Sequence, residues 1–294
     1  MPADRFPLRV TAPQLLARKR KKQAIVMVTA YDAPQGRYAD AAGVDAILVG
    51  DSVGMTTLGY DTTLPVTLED LLYHTRAVLR GQTARRADVC RDNGPTDAES
   101  ARGARHALLV TDMPFGTYGA SVTNGVKAGM RLLAEGGAQA VKLEGAGPVV
   151  LETIRRLVDV GVPVMGHLGM TPQSIHRFGG FKVQGKTEDA ADALIQGAKA
   201  LEEAGAFSIV LEVIPSDLAC RVTAAVTIPA IGIGAGLECD GQVQVLHDLV
   251  GYTDGPPFKH ARRYAELGAA LQEAIAAYAS DVRDRQFPGP ENSF

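Results

Sequence analysis

Short apolar runs rich in valine, isoleucine and leucine recur along the chain, each followed by a turn and a stretch with helical spacing. Such runs are typical of strands buried on both faces, and their alternation with helices predicts a parallel sheet. The predicted strands are AIVMVTA (24–30), DAILVG (45–50), HALLVT (106–111), QAVKLE (139–144), VPVMGH (162–167), FSIVLE (207–212), TIPAIGI (227–233) and, more weakly, VQVLHDLV (243–250). The predicted helices lie at 67–80, 123–135, 147–160, 188–204, 215–225 and 259–283.

Eight such units favour an α/β fold, a (β/α)8 TIM barrel, whereas six or seven would also fit a doubly wound sheet. A barrel of this kind commonly fills about 250 residues as a single domain, and the chain has 294 residues, 46% of them hydrophobic. We therefore expect one barrel domain over residues 1–294. It would carry an N-terminal helical extension at about 11–22 and a polar surface insertion at 82–105, where large apolar side chains are almost absent.

The net charge and the cysteines indicate which partners and which cellular compartment to expect. A net charge of −3 gives no general attraction to nucleic acid or to an anionic membrane, so we expect neither as a partner. No apolar run approaches the roughly 20 residues of a membrane span, and the N-terminus lacks the apolar stretch of a signal peptide. Three cysteines without a CxxC pair favour a reducing compartment, so we expect a cytoplasmic protein.

A basic run at 18–22, Arg-Lys-Arg-Lys-Lys, closes the N-terminal extension. Cations at the end of a helix complement its dipole, and we favour this structural interpretation. The alternative is a non-catalytic module that binds nucleic acid or another anionic surface through this run.

Charged side chains cluster at the predicted strand ends, where the chemistry of a TIM barrel takes place. They are Asp51 with Ser52, Asp112, Lys142, Glu144, His167 and Glu212. One carboxylate at such a position is more often a helix cap or an ion-pair partner, but four would repel one another without a counter-ion. A hard divalent cation resolves this repulsion, and oxygen ligands suit Mg²⁺ better than zinc. Lys142 could add a fixed positive charge for an anionic substrate.

Two glycine-rich segments allow other interpretations. Gly180–Thr187 matches the phosphate-binding pattern G-x4-G-K-[ST], which predicts a nucleotide-binding switch that uses Lys186. That pattern must leave a strand directly, whereas LGMTPQSIHRFGG intervenes here, so we favour a mobile loop over the barrel mouth. Gly232, Gly234 and Gly236 lack the spacing of a dinucleotide site, and we favour a tight turn over a phosphate cradle.

Longer motifs surround these strand ends and cover most of the chain from about residue 10. They are VGDSVGMTTLGYDTTLPVTLEDLLYHTRAV (49–78), TDMPFGTY (111–118), AVKLEG (140–145), VMGHLGMTPQSIHRFGGFKVQGKT (164–187), LEVIP (211–215) and IPAIGIGAGLECDGQVQVLHDLVG (228–251). Together they resemble the ketopantoate hydroxymethyltransferase family, also named 3-methyl-2-oxobutanoate hydroxymethyltransferase. The resemblance implies a Mg²⁺-dependent (β/α)8 barrel that transfers a one-carbon unit from 5,10-methylenetetrahydrofolate to 3-methyl-2-oxobutanoate, giving 2-dehydropantoate for pantothenate synthesis.

The resemblance also implies roles for individual residues. Asp51, Asp112 and Glu144 would be the metal ligands, some through water, and Ser52 and Lys142, beside Asp51 and Asp112, would hold the keto acid. Glu212 would be the proton acceptor in a Mg²⁺-assisted enolisation, while His167 lines the site without a firm role. Family members assemble as large rings, typically decamers, so we expect a homo-oligomer. The insertion at 82–105 departs from the family pattern and would affect subunit packing rather than chemistry, because it lies at the opposite end of the third strand from Asp112.

The closest alternative is another Mg²⁺-dependent enzyme of carbon–carbon bond chemistry, a lyase or aldolase acting on a 2-oxo acid on the same kind of barrel. The carboxylate cluster by itself suits both reactions. Dependence of turnover on folate separates them.

Overall fold

Eight parallel strands close into a barrel in the computed structural model, which describes residues 9–83, 106–253, 255–256 and 258–294. The strands follow one another around the barrel in chain order, and the last pairs with the first. They are β1 (Ile25–Thr29), β2 (Ala46–Val49), β3 (Leu108–Asp112), β4 (Ala140–Glu144), β5 (Val164–Gly169), β6 (Ser208–Glu212), β7 (Ala230–Ile233) and β8 (Gly241–Gln244). The predicted (β/α)8 TIM barrel is confirmed.

The helices surround this barrel in the order expected of alternating units. The longer ones are Ala12–Arg20, Ala33–Ala41, Leu68–Thr83, Val122–Ala134, Pro148–Asp159, Glu188–Glu203, Ser216–Ala225 and Leu267–Arg283. Short helices lie at Val53–Thr56, Ile175–Phe178 and Leu246–Leu249, and 3-10 turns at Pro172–Ser174 and Pro290–Asn292. Several begin at a polar cap, for example at Ser121, whose side chain accepts a hydrogen bond from the Asn124 amide at 3.2 Å.

The last part of the chain differs from the prediction. The weak strand at 243–250 was placed too late, because β8 begins at Gly241 and residues Leu246–Leu249 are helical. The helix predicted over 259–283 begins only at Leu267. Helix Ala33–Ala41 was missed, although Asp32 caps it by accepting a hydrogen bond from the Gln35 amide at 2.7 Å. The predicted insertion at 82–105 falls, from residue 84 onward, outside the described residues.

The N-terminal helix Ala12–Arg20 closes the bottom of the barrel, where the strands begin. Leu15 is completely buried and belongs to the same apolar cluster as Ile25 and Met27 of β1. The Lys19 ammonium donates to the carbonyl oxygens of Thr223 and Ile228 at 2.8 and 3.0 Å. It also forms an ion pair of 2.9 Å with Asp240.

Arg18 of the basic run also binds the barrel, because it pairs with the buried Asp45 carboxylate. The same carboxylate accepts a hydrogen bond from the Val26 amide at 2.9 Å. Two of the five basic residues are therefore bound to the barrel itself, which supports the structural interpretation of the run.

The chain divides into two compact units, Met1–Gln244 with the barrel and Val245–Phe294. In the second unit, helix Leu267–Arg283 has no buried residue. Its apolar side chains recur at a spacing of three or four residues, and each is at least 43% exposed: Leu267, Leu271, Ile275, Tyr278 and Val282. In the part of the chain that the structure describes, no helix is long and apolar enough to cross a membrane.

Candidate active site

The register of the barrel brings the charged strand ends into one layer. Asp112 of β3 lies beside Lys142 of β4, and Glu144 lies beside His167 of β5. Gly169, two residues after His167, pairs with Glu212 of β6. Because all strands run in the same direction, these side chains lie at the same open end of the barrel, as the sequence predicted.

A buried ion pair joins Asp112 and Lys142, whose charged atoms are 2.9 Å apart. The other Asp112 oxygen accepts a hydrogen bond from the Asp51 amide at 3.0 Å, which fixes the loop after β2. Burial lowers the pKa of Lys142, but the carboxylates of Asp112, Glu144 and Asp51 outweigh it and hold that pKa above its ordinary value. Lys142 is therefore a permanent cation inside the barrel mouth.

His167 lies between two carboxylates and is almost completely buried. Its Nδ1 is 3.4 Å from Glu144 Oε1, and its Nε2 is 3.1 Å from Glu212 Oε2. Burial and the nearby charge of Lys142 lower the pKa of His167, but the interactions with Glu144 and Glu212 prevail and raise it to about 9. A protonated ring would be attracted to both carboxylates, although its Nδ1 also lies 3.4 Å from the Lys142 ammonium.

Glu212 is the most accessible of the four carboxylates, with 17% of its side chain exposed. The next residue, Val213, has a φ of 48°, a left-handed conformation that a β-branched side chain adopts only under strain. The Val213 amide donates to the Ile233 carbonyl at 2.9 Å, so the strained residue is held to β7. Glu212 is thereby fixed at the end of β6 while its carboxylate reaches solvent.

Asp51 is buried among other negative charges. Burial, and after it repulsion from Asp112 and Glu144, raises the pKa of Asp51 well above its usual range. A cation close to this carboxylate would relieve both effects. Its neighbour Ser52 is half-buried and forms a hydrogen bond of 2.7 Å with the Tyr31 hydroxyl.

Tyr31 and Gln173 are site residues that the sequence did not reveal. Tyr31 is completely buried, and burial raises its pKa to about 12 in spite of the hydrogen bond to Ser52. Gln173 lies in the loop after β5, and its side-chain amide donates to Asp51 at 2.8 Å. Both come from segments outside the strands, where no periodic pattern marks a side chain as facing the mouth.

The donor set fits a divalent cation in charge. Counted as ionised, Asp51, Asp112, Glu144 and Glu212 carry four negative charges. The cations beside them among the described residues are Lys142 and, when protonated, His167, which leaves two negative charges. Two buried oxygens of this set, Asp112 Oδ1 and Glu144 Oε1, accept no hydrogen bond of good geometry although a cation lies near each. Glu144 Oε1 is therefore open to a metal ion, whereas Asp112 Oδ1 would be shared between the metal ion and the Lys142 ammonium.

The carboxylates are grouped less closely than the ligands of a bound metal ion. Within the described residues, no three histidine, cysteine, aspartate or glutamate side chains already converge as metal ligands. Lys142 is paired with Asp112, and the Gln173 side chain donates to Asp51. Water between a cation and some of the carboxylates accommodates these distances, and Mg²⁺ usually keeps several waters.

Comparison of the sequence with known proteins decides the family. The sequence profile of ketopantoate hydroxymethyltransferase matches residues 9–92 and 96–290. The 3-methyl-2-oxobutanoate hydroxymethyltransferase of Anaeromyxobacter sp. (strain Fw109-5) is 50% identical over 286 residues, which is 97% of this chain and 88% of that protein. The enzyme of the same name from Dehalococcoides mccartyi (strain ATCC BAA-2266 / KCTC 15142 / 195) is 49% identical over 98% of this chain and 94% of its own length.

The chain belongs to the ketopantoate hydroxymethyltransferase family. It is therefore a transferase enzyme, and the family's name places it in pantothenate biosynthesis. Among solved structures, phosphoenolpyruvate phosphomutase from Streptomyces platensis subsp. rosaceus is similar, with a TM-score of 0.58 and 15% identity. That likeness covers 93% of this chain and 88% of the other, and at this identity it shows a shared fold alone.

In this hydroxymethyltransferase family member, Gly180–Thr187 lacks the geometry of a phosphate-binding loop. β5 ends at Gly169, and two short helical turns follow before the segment begins, so the loop does not leave a strand directly. A groove of about 400 Å³ beside Lys186 is also lined by Glu188, Asp217 and Arg221 and contains none of the charged strand-end residues. Placement of the loop over the barrel mouth stays a prediction.

Gly232, Gly234 and Gly236 end β7 and begin its connection to β8. Gly234 and Gly236 have φ values of 64° and 88°, which glycine adopts without strain. Seven residues, 234–240, connect the two strands without a helix. The segment is thus a loop without a helix, and the choice of a turn over a phosphate cradle stays a prediction.

Proposed function

We propose that the chain transfers a hydroxymethyl group from 5,10-methylenetetrahydrofolate to 3-methyl-2-oxobutanoate and forms 2-dehydropantoate. The family membership supports this activity. The observation that carries the mechanism is the charged layer at the open end of the barrel, in which the partly exposed Glu212 lies beside buried residues: Asp51, Asp112, Lys142, Glu144 and His167.

Asp51, Asp112 and Glu144 would hold a Mg²⁺ ion, with water completing some contacts. The two residual negative charges of the layer support this assignment. So do Asp112 Oδ1 and Glu144 Oε1, which accept no hydrogen bond of good geometry in the described residues. When bound, the cation would polarise the keto group and stabilise the negative charge that develops on it.

Lys142 and Ser52 would hold the carboxylate of the 2-oxo acid. The raised pKa of Lys142 keeps its ammonium charged, and a buried charge attracts an anion more strongly than an exposed one. The hydrogen bond between the Tyr31 and Ser52 hydroxyls holds the Ser52 side chain in place. Together these contacts would place the C3 proton toward β6.

Glu212 would remove that proton. Its carboxylate is held by His167 on one side and reaches solvent on the other, so it can accept a proton from a bound molecule and later release it to water. The deprotonated carbon would form a bond to the folate methylene carbon while one of that carbon's two C–N bonds breaks and the released nitrogen takes up a proton. Water would then break the second C–N bond, leaving its hydroxyl group on the carbon and its proton on the second nitrogen, and tetrahydrofolate would leave.

We further propose that the chain acts as a homo-oligomer, a decamer. The unburied apolar face of helix Leu267–Arg283 supports an association between copies, because exposed apolar faces of this extent commonly mark interfaces.

The test is formation of 2-dehydropantoate from 3-methyl-2-oxobutanoate, followed by mass spectrometry with tetrahydrofolate release measured in parallel. We expect product only when both folate and Mg²⁺ are present, and none after metal is removed with EDTA. Cleavage of a 2-oxo acid without folate would instead establish the lyase or aldolase reaction. Product formation that is unaffected by EDTA would contradict the metal assignment.

A further inference from the structure

Gln173 contacts two of the candidate metal ligands at once, although it lies outside the strands. The chain leaves β5 at Gly169, where φ is 96°, and then forms the 3-10 turn Pro172–Ser174. This path brings Gln173 against Asp51, whose Oδ2 accepts a hydrogen bond of 2.8 Å from the side-chain amide. The backbone amide of Gln173 donates to Glu144 Oε2 at 2.9 Å.

Gln173 binds one oxygen of Asp51 and one oxygen of Glu144. The second oxygen of Glu144 is buried and accepts no hydrogen bond of good geometry in the described part of the chain. A carboxylate held by one oxygen presents the other in a fixed direction. This is the arrangement by which outer residues orient metal ligands.

Tyr118 fixes the orientation of Gln173 in turn. Its hydroxyl donates to Gln173 Oε1 at 2.7 Å and accepts a hydrogen bond from the Glu144 amide at 3.2 Å. The Gln173 amide nitrogen also donates to the Met113 carbonyl at 3.0 Å. Because a carbonyl can only accept, the nitrogen must face Met113 and Asp51, and the amide cannot be flipped.

We infer that Gln173 and Tyr118 form a positioning pair that aims Asp51 and Glu144, and that this pair sets the affinity of the site for a divalent cation. The inference rests on the proposed function, in which these two carboxylates are metal ligands. A neutral amide suits this task, because it donates to a carboxylate without adding a charge that would repel a cation. A glutamate in its place would face Asp51 as a second anion, and a lysine would compete with the metal.

The test is direct binding of Mn²⁺ to the full chain, in which electron paramagnetic resonance measures the free aqueous ion. Gln173→Met keeps the length of the side chain and removes its hydrogen bonds. We expect it to weaken Mn²⁺ binding by roughly 10–100-fold, the usual cost of losing an outer partner of a metal ligand. Tyr118→Phe should weaken binding in the same direction. The double variant should add little to Gln173→Met, because both changes break one hydrogen-bond chain.

Gln139→Met is the matched control. The Gln139 side chain also bonds the backbone, accepting from the Leu109 amide at 2.8 Å and donating to the Gly137 carbonyl at 2.9 Å, at the start of β4. A purely structural role predicts that Gln139→Met and Gln173→Met lower the melting temperature without changing the Mn²⁺ dissociation constant. A positioning role predicts that only Gln173→Met changes that constant.

The outcomes separate the two proposals. Wild-type binding that Gln173→Met and Tyr118→Phe leave unchanged overturns the positioning pair and keeps the metal site. Absence of Mn²⁺ binding to the wild-type chain overturns the metal site and the positioning pair together. If Gln173→Met does not fold, Tyr118→Phe decides by the same measurement.

Discussion

Replacing Glu212 by glutamine should stop proton removal from 3-methyl-2-oxobutanoate while leaving the substrate site in place. The amide has the volume of the carboxyl group and still offers an oxygen to His167, whose Nε2 lies 3.1 Å from Glu212 Oε2. It cannot take a proton at neutral pH. Removal of a general base commonly lowers a rate by roughly 10²–10⁴-fold, which corresponds to about 3–5 kcal/mol of barrier.

The cost to stability should be smaller than the cost to catalysis. His167 would lose one charged partner but keep Glu144 at 3.4 Å, and the Glu212 side chain is partly exposed. A hydrogen bond to a charged group contributes about 1.5–3 kcal/mol, and part of it survives with the amide. We therefore expect a fall of a few degrees in melting temperature, since about 1 kcal/mol corresponds to roughly 2–4 °C in a domain of similar size.

Proton NMR of the substrate in D₂O measures the step directly. Exchange at C3 collapses the doublet of the two methyl groups, so proton removal is observed without product formation. We expect exchange that requires Mg²⁺ in the wild type and is lost in Glu212→Gln. Glu203→Gln, the same change at an exposed position, serves as the control and should exchange like the wild type.

Three results of this experiment would change the proposed mechanism. Exchange at a near-normal rate in a folded Glu212→Gln variant would refute Glu212 as the base. If the wild type exchanges only when tetrahydrofolate is present, folate binds before the proton is removed. If it exchanges under neither condition, the lyase or aldolase interpretation gains over the transferase mechanism.

Other substitutions test the metal, the backbone and the assembly. Asp112→Ala should raise the Mg²⁺ concentration for half-maximal activity by roughly tenfold or more, and an unchanged Mg²⁺ titration would exclude Asp112 as a ligand. Gly169→Ala should destabilise the fold by at least about 1–2 kcal/mol, the usual cost of a left-handed backbone at a residue other than glycine. Its Cβ would also lie 2.2 Å from the Glu212 carbonyl oxygen; a wild-type melting temperature would show that the strand end adapts freely. Ile275→Glu places a charge in the apolar face of helix Leu267–Arg283 and should lower the mass measured by light scattering, whereas an unchanged mass would remove this face from the interface.

The charged residues at the strand ends could be grouped from the sequence, because the parallel strands of a barrel all end at the same face. Every strand that ends in a charged residue delivers it to the same open face, so Asp112, Glu144 and Glu212 could be grouped without coordinates. Their partners could not be predicted in this way. Gln173 reaches Asp51 across 122 positions of the chain through an irregular loop, and no periodic pattern encodes that contact.

The eighth strand was misplaced for a related reason. β8 begins with Gly241 and Gln242, which look like a turn in the sequence, while residues 246–249 of the predicted strand form a helix. A Cβ on Gly241 would lie 2.3 Å from the Ile25 carbonyl oxygen, so the strand pairs with β1 only because this residue has no side chain. Gly241 therefore permits the pairing with β1 and, as a glycine, also makes the start of the strand look like a turn in the sequence.

The attachment of Lys19 to the bottom of the barrel has a consequence for the order of folding. Its ammonium binds carbonyl groups 204 and 209 residues further along the chain, and Asp240 joins the same group. Closing loops of that length costs roughly 5 kcal/mol of chain entropy, and such distant contacts form late. During synthesis, the edge of β1 that pairs with β8 and the contacts of Lys19 therefore wait for almost the whole chain. A nascent chain that stops before Gly241 has seven strands and two open edges, and such edges pair readily with other chains.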